Sequence, residues 1–364
     1  MVIALLVLAA LLAYANGSND NGKGVATLVG FGAAEPRPAL IYATATTAVG
    51  ASLSFWYSGG LLKSFSTALF ATGTPLTHSF FIAVLIGAFA WVIFATFTGL
   101  PISTTHAIMG SLIGAGLVAF GRSTVQWHPL FRSFLLPLSI SPLLSLLAVY
   151  CLARPVVGLV KRYPMRCICL TTTLEAAATP LSPAVMTAVT RPTIVGGTEA
   201  ECALQHPAVT VSTGSAANAI HWFSAGMIGF ARGWNDAPKI AALCLIALPR
   251  NMGVAFAIVA TTMALGGLVS GGRVLETLAK KLTPLPLPES LTASLTTACL
   301  VGLASWKGLP VSTTHVSTGA IIGAGLTNNP AGVKWKKVGE IGLSWIVTLP
   351  AAGLVAAAAK WLLP

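Results

Sequence analysis

ISTTHAIMG at 102–110 and VSTTHVSTG at 311–319 carry the same Ser-Thr-Thr-His tetrapeptide in a sequence that is otherwise almost wholly apolar. Each copy follows Gly-Leu-Pro (99–101 and 308–310) and precedes glycines at helical spacing, Gly110 with Gly114 and Gly319 with Gly323. Pro101 and Pro310 suit the opening of a helix, and the hydroxyls that follow suit its N-cap. Free backbone N–H groups at such an end attract anions, worth about 0.3–1 kcal/mol per charge and up to about 2 when partly buried. Two facing copies can surround a tetrahedral oxyanion. Ser103, Thr104, Thr105, Ser312, Thr313 and Thr314 are therefore the candidate anion-binding hydroxyls. The glycines let neighbouring helix backbones approach closely, so each segment reads as a tight hairpin inside a bundle. Ser317 and Thr318 occur only in the second copy, so the halves need not contribute equally.

Charged residues make up 8% of the 364 and hydrophobic ones 55%, and the mean hydropathy is +0.82. A water-soluble fold of this size does not carry that composition. Apolar runs near the ~20 residues that cross a bilayer lie at 1–15, 39–57, 80–98, 133–153, 216–231, 237–249, 252–270, 291–306 and 341–359. The expected class is an all-α polytopic membrane protein, multi-pass in a cell membrane with the lipid bilayer as its main partner. The net charge of +12 does not call for nucleic acid, because Arg154, Lys161, Arg162 and Arg166 directly follow an apolar span and read as a positive-inside signal. That places segment 154–215 in the cytoplasm and the N-terminus outside, while Lys334, Lys336 and Lys337 mark a competing inner face. Residues 1–15 end in Ala-Tyr-Ala but lack a basic n-region, so they read as a span rather than a cleaved leader. The six cysteines form no CxxC and no paired spacing with His, which indicates neither a zinc site nor a disulfide framework.

Segment 154–215, rich in Thr, Ala, Pro and Glu, separates blocks of similar length, 1–153 and 216–364. Each block runs from an Asn-Asp motif through several spans to the tetrapeptide, an internal repeat. The motifs are NGSNDNGK at 16–23 and RGWNDAPK at 232–239, sharing Asn-Asp-x-x-Lys. Each interrupts its apolar run with Gly or Pro, which predicts a discontinuous helix at 16–24 and again at 233–239. Two repeats joined by a long loop are a mark of secondary transporters, whose substrate sits between the halves at mid-membrane.

Asp20 and Asp236 are the only aspartates in the chain and hold equivalent places. An ionised side chain at a membrane centre costs roughly 2.5–3.5 kcal/mol, so Asp20, Lys23, Asp236 and Lys239 would cost on the order of 10 kcal/mol unpaired. Asp20 and Lys23 stand three apart on one helix face, as do Asp236 and Lys239, and can neutralise each other. A packing pair would be cheaper as two apolar residues, so the repeated pair reads as a counter-ion or coupling-ion site. His106 and His315 close the tetrapeptides and are candidate proton relays. No HExxH, no DxD and no third catalytic partner stands near them, so an enzyme is not expected and no catalytic or metal residue is assigned.

These motifs resemble the inorganic phosphate transporter (PiT) family of the phosphate/sulfate permease superfamily, which pairs a Gly-Ala-Asn-Asp-x-Ala-Asn signature with a Pro-x-Ser-x-x-His hairpin in each half. The resemblance implies two inverted-topology repeats with broken helices and two re-entrant Ser-Thr-Thr-His hairpins. It also implies that Asn19 and Asn235, with the hairpin hydroxyls, hold phosphate, and that sodium ions or protons are the coupling ions, with no other cofactor. Here Lys23 and Lys239 replace the second Asn of the signature. An ammonium there repels sodium, so both lysines are expected to act as built-in counter-ions, with protons favoured over sodium. The expected function is import of inorganic phosphate. A sulfate permease of the same family and an anion channel are the alternatives, and a homo-oligomer is compatible with either. Monohydrogen phosphate donates a proton that an ionised Asp can accept and sulfate does not, which favours phosphate.

Overall fold

In the computed structural model of the protein the described residues are 1–57, 59–66, 69–162, 166–178, 186–205, 209–244 and 247–363. The first repeat runs α1 (Val2–Asp20), a 3-10 turn (Asn21–Val25), α2 (Ala26–Phe31), α3 (Pro36–Tyr57), α4 (Gly59–Ser66), α5 (His78–Thr98), α6 (Thr104–Phe120), α7 (Trp127–Leu130) and α8 (Leu136–Arg162). Strands β1 (Arg166–Ala178) and β2 (Met186–Thr198), helix α9 (Glu199–Leu204) and β3 (Val209–Ser212) follow. The second repeat is α10 (Thr213–Ala242), α11 (Met252–Ser270), α12 (Gly272–Lys280), α13 (Leu287–Trp306), α14 (Thr313–Asn328) and α15 (Trp335–Leu362). Two compact units result, Met1–Arg154 together with His221–Pro364, and Pro155–Ile220.

Seven stretches among the described residues are long and apolar enough to cross a membrane: 2–31, 36–57, 78–98, 127–159, 252–270, 287–306 and 335–362. The first expected helix break is present, at 21–25 rather than 16–24. Gly22 and Gly24 flank Lys23 there, each costing a helix about 1 kcal/mol relative to Ala. The second expected break is absent. Runs 216–231 and 237–249 were expected as separate spans, but α10 is one helix through 233–239 to Ala242, and residues 245–246 lie outside the described residues. Pro238 removes a single hydrogen bond from a helix that has no water to turn to, and the second motif lacks the paired glycines.

The two halves pack by matching glycines. A Cβ on Gly17 would overlap the Met263 carbonyl and one on Gly233 the Thr47 carbonyl, so α1 lies on α11 as α10 lies on α3. The glycines after each tetrapeptide repeat the pattern. Gly110 and Gly114 meet the backbone of Leu349 and Gly353 on α15, and Gly319 and Gly323 that of Pro142 and Leu146 on α8.

Helices α5 and α6 form an antiparallel hairpin, with the ring of Phe80 near the start of one 5.1 Å from that of Phe120 at the end of the other. The shared Gly-Leu-Pro-x-Ser motif writes its tip. Gly99 takes φ 71° and Gly308 φ 68°, and the next amides, Leu100 and Leu309, donate back to Ala95 O (2.9 Å) and Ala304 O (2.8 Å). That is a glycine helix stop, followed within four residues by the serine N-cap of the returning helix. In the second hairpin Thr283, just before α13, lies against Gly325 near the end of α14. Helix α15 starts beyond the end of α14, passes the first tip, where Trp345 Nε1 donates to Pro101 O at 2.9 Å, and ends with Trp361 beside Phe120. The hairpins thus enter from opposite ends and meet tip to tip, Thr314 Oγ1 donating to Ile102 O at 2.7 Å. Around them Leu143, Leu147, Ile346 and Leu354 are exposed, as a lipid-facing surface requires.

In the other unit β1 pairs antiparallel with β2 along its length and with β3 at Cys167–Leu170. This sheet adds strands to the expected all-α architecture, in a segment whose Thr- and Val-rich runs suit a pleated surface. Cys167 and Cys202 form a disulfide, which their spacing did not suggest. It arises because β1–β2 pairing sets Cys167 opposite Gly197 and α9 then brings Cys202 back over the strand.

Candidate functional site

Where the tips meet, each motif lysine is enclosed by three oxygens. Lys23 Nζ donates to the Asp20 carboxylate, to Ile102 O at 2.8 Å and to Thr314 Oγ1 at 2.5 Å. Lys239 Nζ donates to Asp236 Oδ1 at 3.1 Å, Val311 O at 3.0 Å and Thr105 Oγ1 at 2.7 Å. The cages correspond ligand by ligand, and each takes its hydroxyl from the hairpin of the other half. An ammonium has three donors, and here all three are matched. Both expected Asp–Lys pairs are therefore present, at no more than 4% exposure for any of the four residues.

Asn19 and Asn235 hold the tips. Asn19 Nδ2 donates to Thr96 Oγ1 and Leu100 O, both at 3.1 Å, while its Oδ1 accepts the Ile102 amide at 3.2 Å. Asn235 Nδ2 makes the matching bonds to Ser305 Oγ (3.1 Å) and Leu309 O (3.4 Å), but its Oδ1 has no partner.

Of the six candidate hydroxyls, five already have protein partners. Ser103 and Ser312 cap their helices, each accepting the histidine amide three residues on at 3.2 Å. Thr105 and Thr314 bind the lysines, and Thr104 Oγ1 donates to Asp20 Oδ2 at 3.1 Å. Thr313 is buried, and among the described residues its hydroxyl makes no hydrogen bond; the helix N-cap is Ser312. The discrimination expected from an Asp accepting a phosphate proton meets the same obstacle. Asp20 Oδ1 faces Lys23 and its Oδ2 takes Asn16 Nδ2 at 2.7 Å as well as Thr104.

Sequence reasoning missed Arg232, which lies at the centre of the site. It is 1% exposed, with Nη1 3.9 Å from Asp20 Oδ2 and 3.8 Å from Asp236 Oδ2. Nη1 donates to Asn16 Oδ1 at 3.3 Å, Nη2 donates to Asn21 Oδ1, and Nε has no partner. The rule that flagged the lysines, an ionisable residue within an apolar run, applies equally to Arg232. With it the core holds three cations, Lys23, Lys239 and Arg232, against two carboxylates, a formal excess of one positive charge. The N-terminal ends of α6 and α14 add to that field.

The rings of His106 and His315 lie 4.8 Å apart beside the tips, tilted at 42°, and His315 lies 4.0 Å from the Trp345 ring. His315 Nδ1 donates to Leu138 O at 2.9 Å, while its Nε2 and His106 Nδ1 have no partner. Both line a hollow of about 420 Å3 between α8 and α15, and neither is hydrogen-bonded to an aspartate or lysine of the core. Among the described residues no cluster of His, Cys, Asp and Glu could hold a metal ion.

A Pyrococcus horikoshii protein named as a phosphate permease is 29% identical over 98% of this chain and 96% of its own length. A Mycobacterium leprae protein named a probable low-affinity inorganic phosphate transporter is 27% identical over 100% of this chain and 78% of its own. The fold is that of a solved sodium-dependent phosphate transporter, with a TM-score of 0.75 at 21% identity over 99% of this chain and 98% of the other. The sequence model described as the phosphate transporter family matches residues 16–356, taking in both motifs and both hairpins, and this multi-pass membrane protein belongs to that family.

Proposed function

We propose that the chain is a secondary active transporter that imports inorganic phosphate, holds it at mid-membrane between the hairpin tips, and is driven by protons rather than sodium. The pair of lysine cages carries this reading. A carboxylate, a carbonyl and a hydroxyl are hard oxygen ligands of the kind that suit a hard metal cation, and in each half a tethered ammonium fills the set. A cation bonded to the chain supplies charge beside the anion but cannot cross with it. The driving ion then binds elsewhere, and the neighbouring His106 and His315, with two unpartnered ring nitrogens, are suited to pass a proton. Asn19, Asn235 and the hairpin hydroxyls shape the anion site directly or by fixing the tips. The names of the relatives support phosphate as the anion; the sodium dependence in the name of the solved transporter belongs to that protein.

Labelled phosphate uptake into proteoliposomes under an imposed proton gradient, without sodium and with excess unlabelled sulfate, tests the proposal beside an Asp20→Asn control. Concentrative uptake that resists sulfate and is lost in the control is the expected result. Strong competition by sulfate would favour the sulfate permease, and flux that never exceeds equilibrium would favour a channel. Accumulation only after sodium is added would overturn proton coupling.

A further inference from the structure

The two halves match in their lysine cages and differ one step away. In the first half Asn16, Thr104 and Asp20 close a triangle, with Asn16 Nδ2 donating to Asp20 Oδ2 (2.7 Å) and Thr104 Oγ1 (3.0 Å), and Thr104 donating to Asp20 Oδ2 (3.1 Å). The equivalent positions in the second half are Arg232, Thr313 and Asp236, and that triangle is open. Arg232 stays 3.8 Å from Asp236, beyond hydrogen-bond reach, its Nε is unpartnered, and among the described residues the Thr313 hydroxyl makes no hydrogen bond.

One turn along α14, Ser317 and Thr318 are buried without partners. Buried helical hydroxyls commonly bond the carbonyl four residues back, as Thr96, Ser305 and Thr348 do here; these two do not. Their counterparts in the first hairpin, Ile108 and Met109, are apolar.

Helix geometry and the equivalence of the halves direct Arg232 and two of these hydroxyls toward one corner. Residues on a helix are 100° apart. Val316 shares a buried apolar cluster with Ala231 of α10 and Val301 of α13, and Thr314 meets Lys23 of the 3-10 turn. Thr313 and Ser317 share a face whose direction falls between those two. Asn16, the counterpart of Arg232, bonds Thr104, the counterpart of Thr313, so the equivalence of the halves directs Arg232 toward Thr313, while its own bonds reach Asn16 and Asn21.

We propose that the anion binds asymmetrically, against the second hairpin, with Arg232 as its principal ligand and the hydroxyls of Thr313 and Ser317 completing the contact. This rests on the anion-carrier reading but not on which anion is carried. The ligand is a tetrahedral oxyanion. A guanidinium forks two of its oxygens, and its charge offsets the single positive excess of the core. The first half, with its triangle closed, positions the tip.

Calorimetric titration of the purified full-length protein with inorganic phosphate and, separately, with sulfate tests the assignment. Ser317→Ala raises the Kd about tenfold, as loss of a hydrogen bond to a charged group does. Thr313→Ala raises it about tenfold more than Thr104→Ala, and Thr313→Ser restores it. Arg232→Lys, which keeps the charge but loses the fork, weakens binding at least about tenfold. Equal losses at Thr104 and Thr313, or no loss at Ser317, would overturn the asymmetric site even if Arg232 variants fail to fold. The same ranking with sulfate but not phosphate would refute phosphate as substrate and leave this site standing, while a wild-type protein that binds neither anion refutes both.

Discussion

Lys23→Asn removes the cation from one cage and leaves its oxygens. Lys23 Nζ now serves Asp20, Ile102 O and Thr314 Oγ1, and once it is gone the nearest cation to Asp20 is Arg232 at 3.9 Å. Removing one partner of a buried pair costs about 3–5 kcal/mol of stability, and where that cost falls on the closed, anion-holding state it lowers sodium-free phosphate uptake by roughly 10²-fold or more. If the vacated oxygens take sodium, the ion at 100 times its Kd returns about 2.7 kcal/mol, so most of the loss is recovered. The variant is therefore expected to have gained a sodium requirement that the parent lacks, with Lys239→Asn doing the same in the other half. The assay is initial-rate uptake of labelled phosphate into proteoliposomes in choline or sodium buffer, with monodispersity checked by size-exclusion chromatography. Undiminished sodium-free uptake would refute the counter-ion role. A folded variant that sodium cannot restore would refute the identification of the cage as a cation site.

Gly110→Ala and Gly319→Ala each drive a Cβ into a backbone carbonyl, Leu349 O or Pro142 O, and should cost about 1–3 kcal/mol, seen as a lowered thermal transition in detergent. The Cys167–Cys202 disulfide should resist maleimide labelling until reduced, and replacing both cysteines by Ser should destabilise the Pro155–Ile220 unit by about 4 kcal/mol for a separation of 35 residues. Because such bonds persist in oxidising compartments, a protected disulfide in intact vesicles would place this unit opposite to the cytoplasmic side that its basic residues suggest. Glu201 accepts the Thr198 amide at 2.6 Å in a capping box on α9, and this bond lowers its pKa from 4.5. A lowered carboxyl pKa stabilises the fold above 4.5 and that contribution is lost as pH falls through the folded value, so Glu201→Gln should flatten the acid limb of this unit's stability measured by circular dichroism.

The membrane class, the repeat and the hairpin tips were legible because each is written locally. Stop and start signals sit within five residues at Gly99–Ser103 and Gly308–Ser312, and composition alone reveals the bilayer. The uninterrupted α10 was less legible, since Pro238 announces a break that a water-free surrounding does not permit. Residue type identified the polar core but not its internal pairing. Six hydroxyls looked equivalent in sequence, and only the fold shows that Thr105 and Thr314 cross to the opposite half while Thr313 stays free. Arg232 was visible as an intramembrane charge, yet its counterpart in the first repeat is Asn16, so a search for repeated residues passes over it.

The crossing of the lysines bears on how a carrier of this design would open. Lys23 joins the first motif to the second hairpin, and Lys239 joins the second motif to the first. Withdrawing either hairpin breaks the bond that its threonine accepts from one lysine, the bond that its carbonyl, Ile102 O or Val311 O, accepts from the other, and the contact of Thr314 with Ile102 O. Each charged bond is worth about 1.5–3 kcal/mol, small enough for thermal opening and similar on the two sides. A closed state with both lysines engaged then lies between two open ones of comparable energy, which alternating access requires. Among the charged residues of the core only Arg232 lacks a symmetric partner, so in the proposed site an anion bound to it is held through the exchange while the hairpin that releases it is the one bearing Thr313 and Ser317. Locking the tips together, for example by cross-linking cysteines placed at Ile102 and Val311, should abolish uptake but leave phosphate affinity measurable; loss of both would mean that the closed state does not bind the anion.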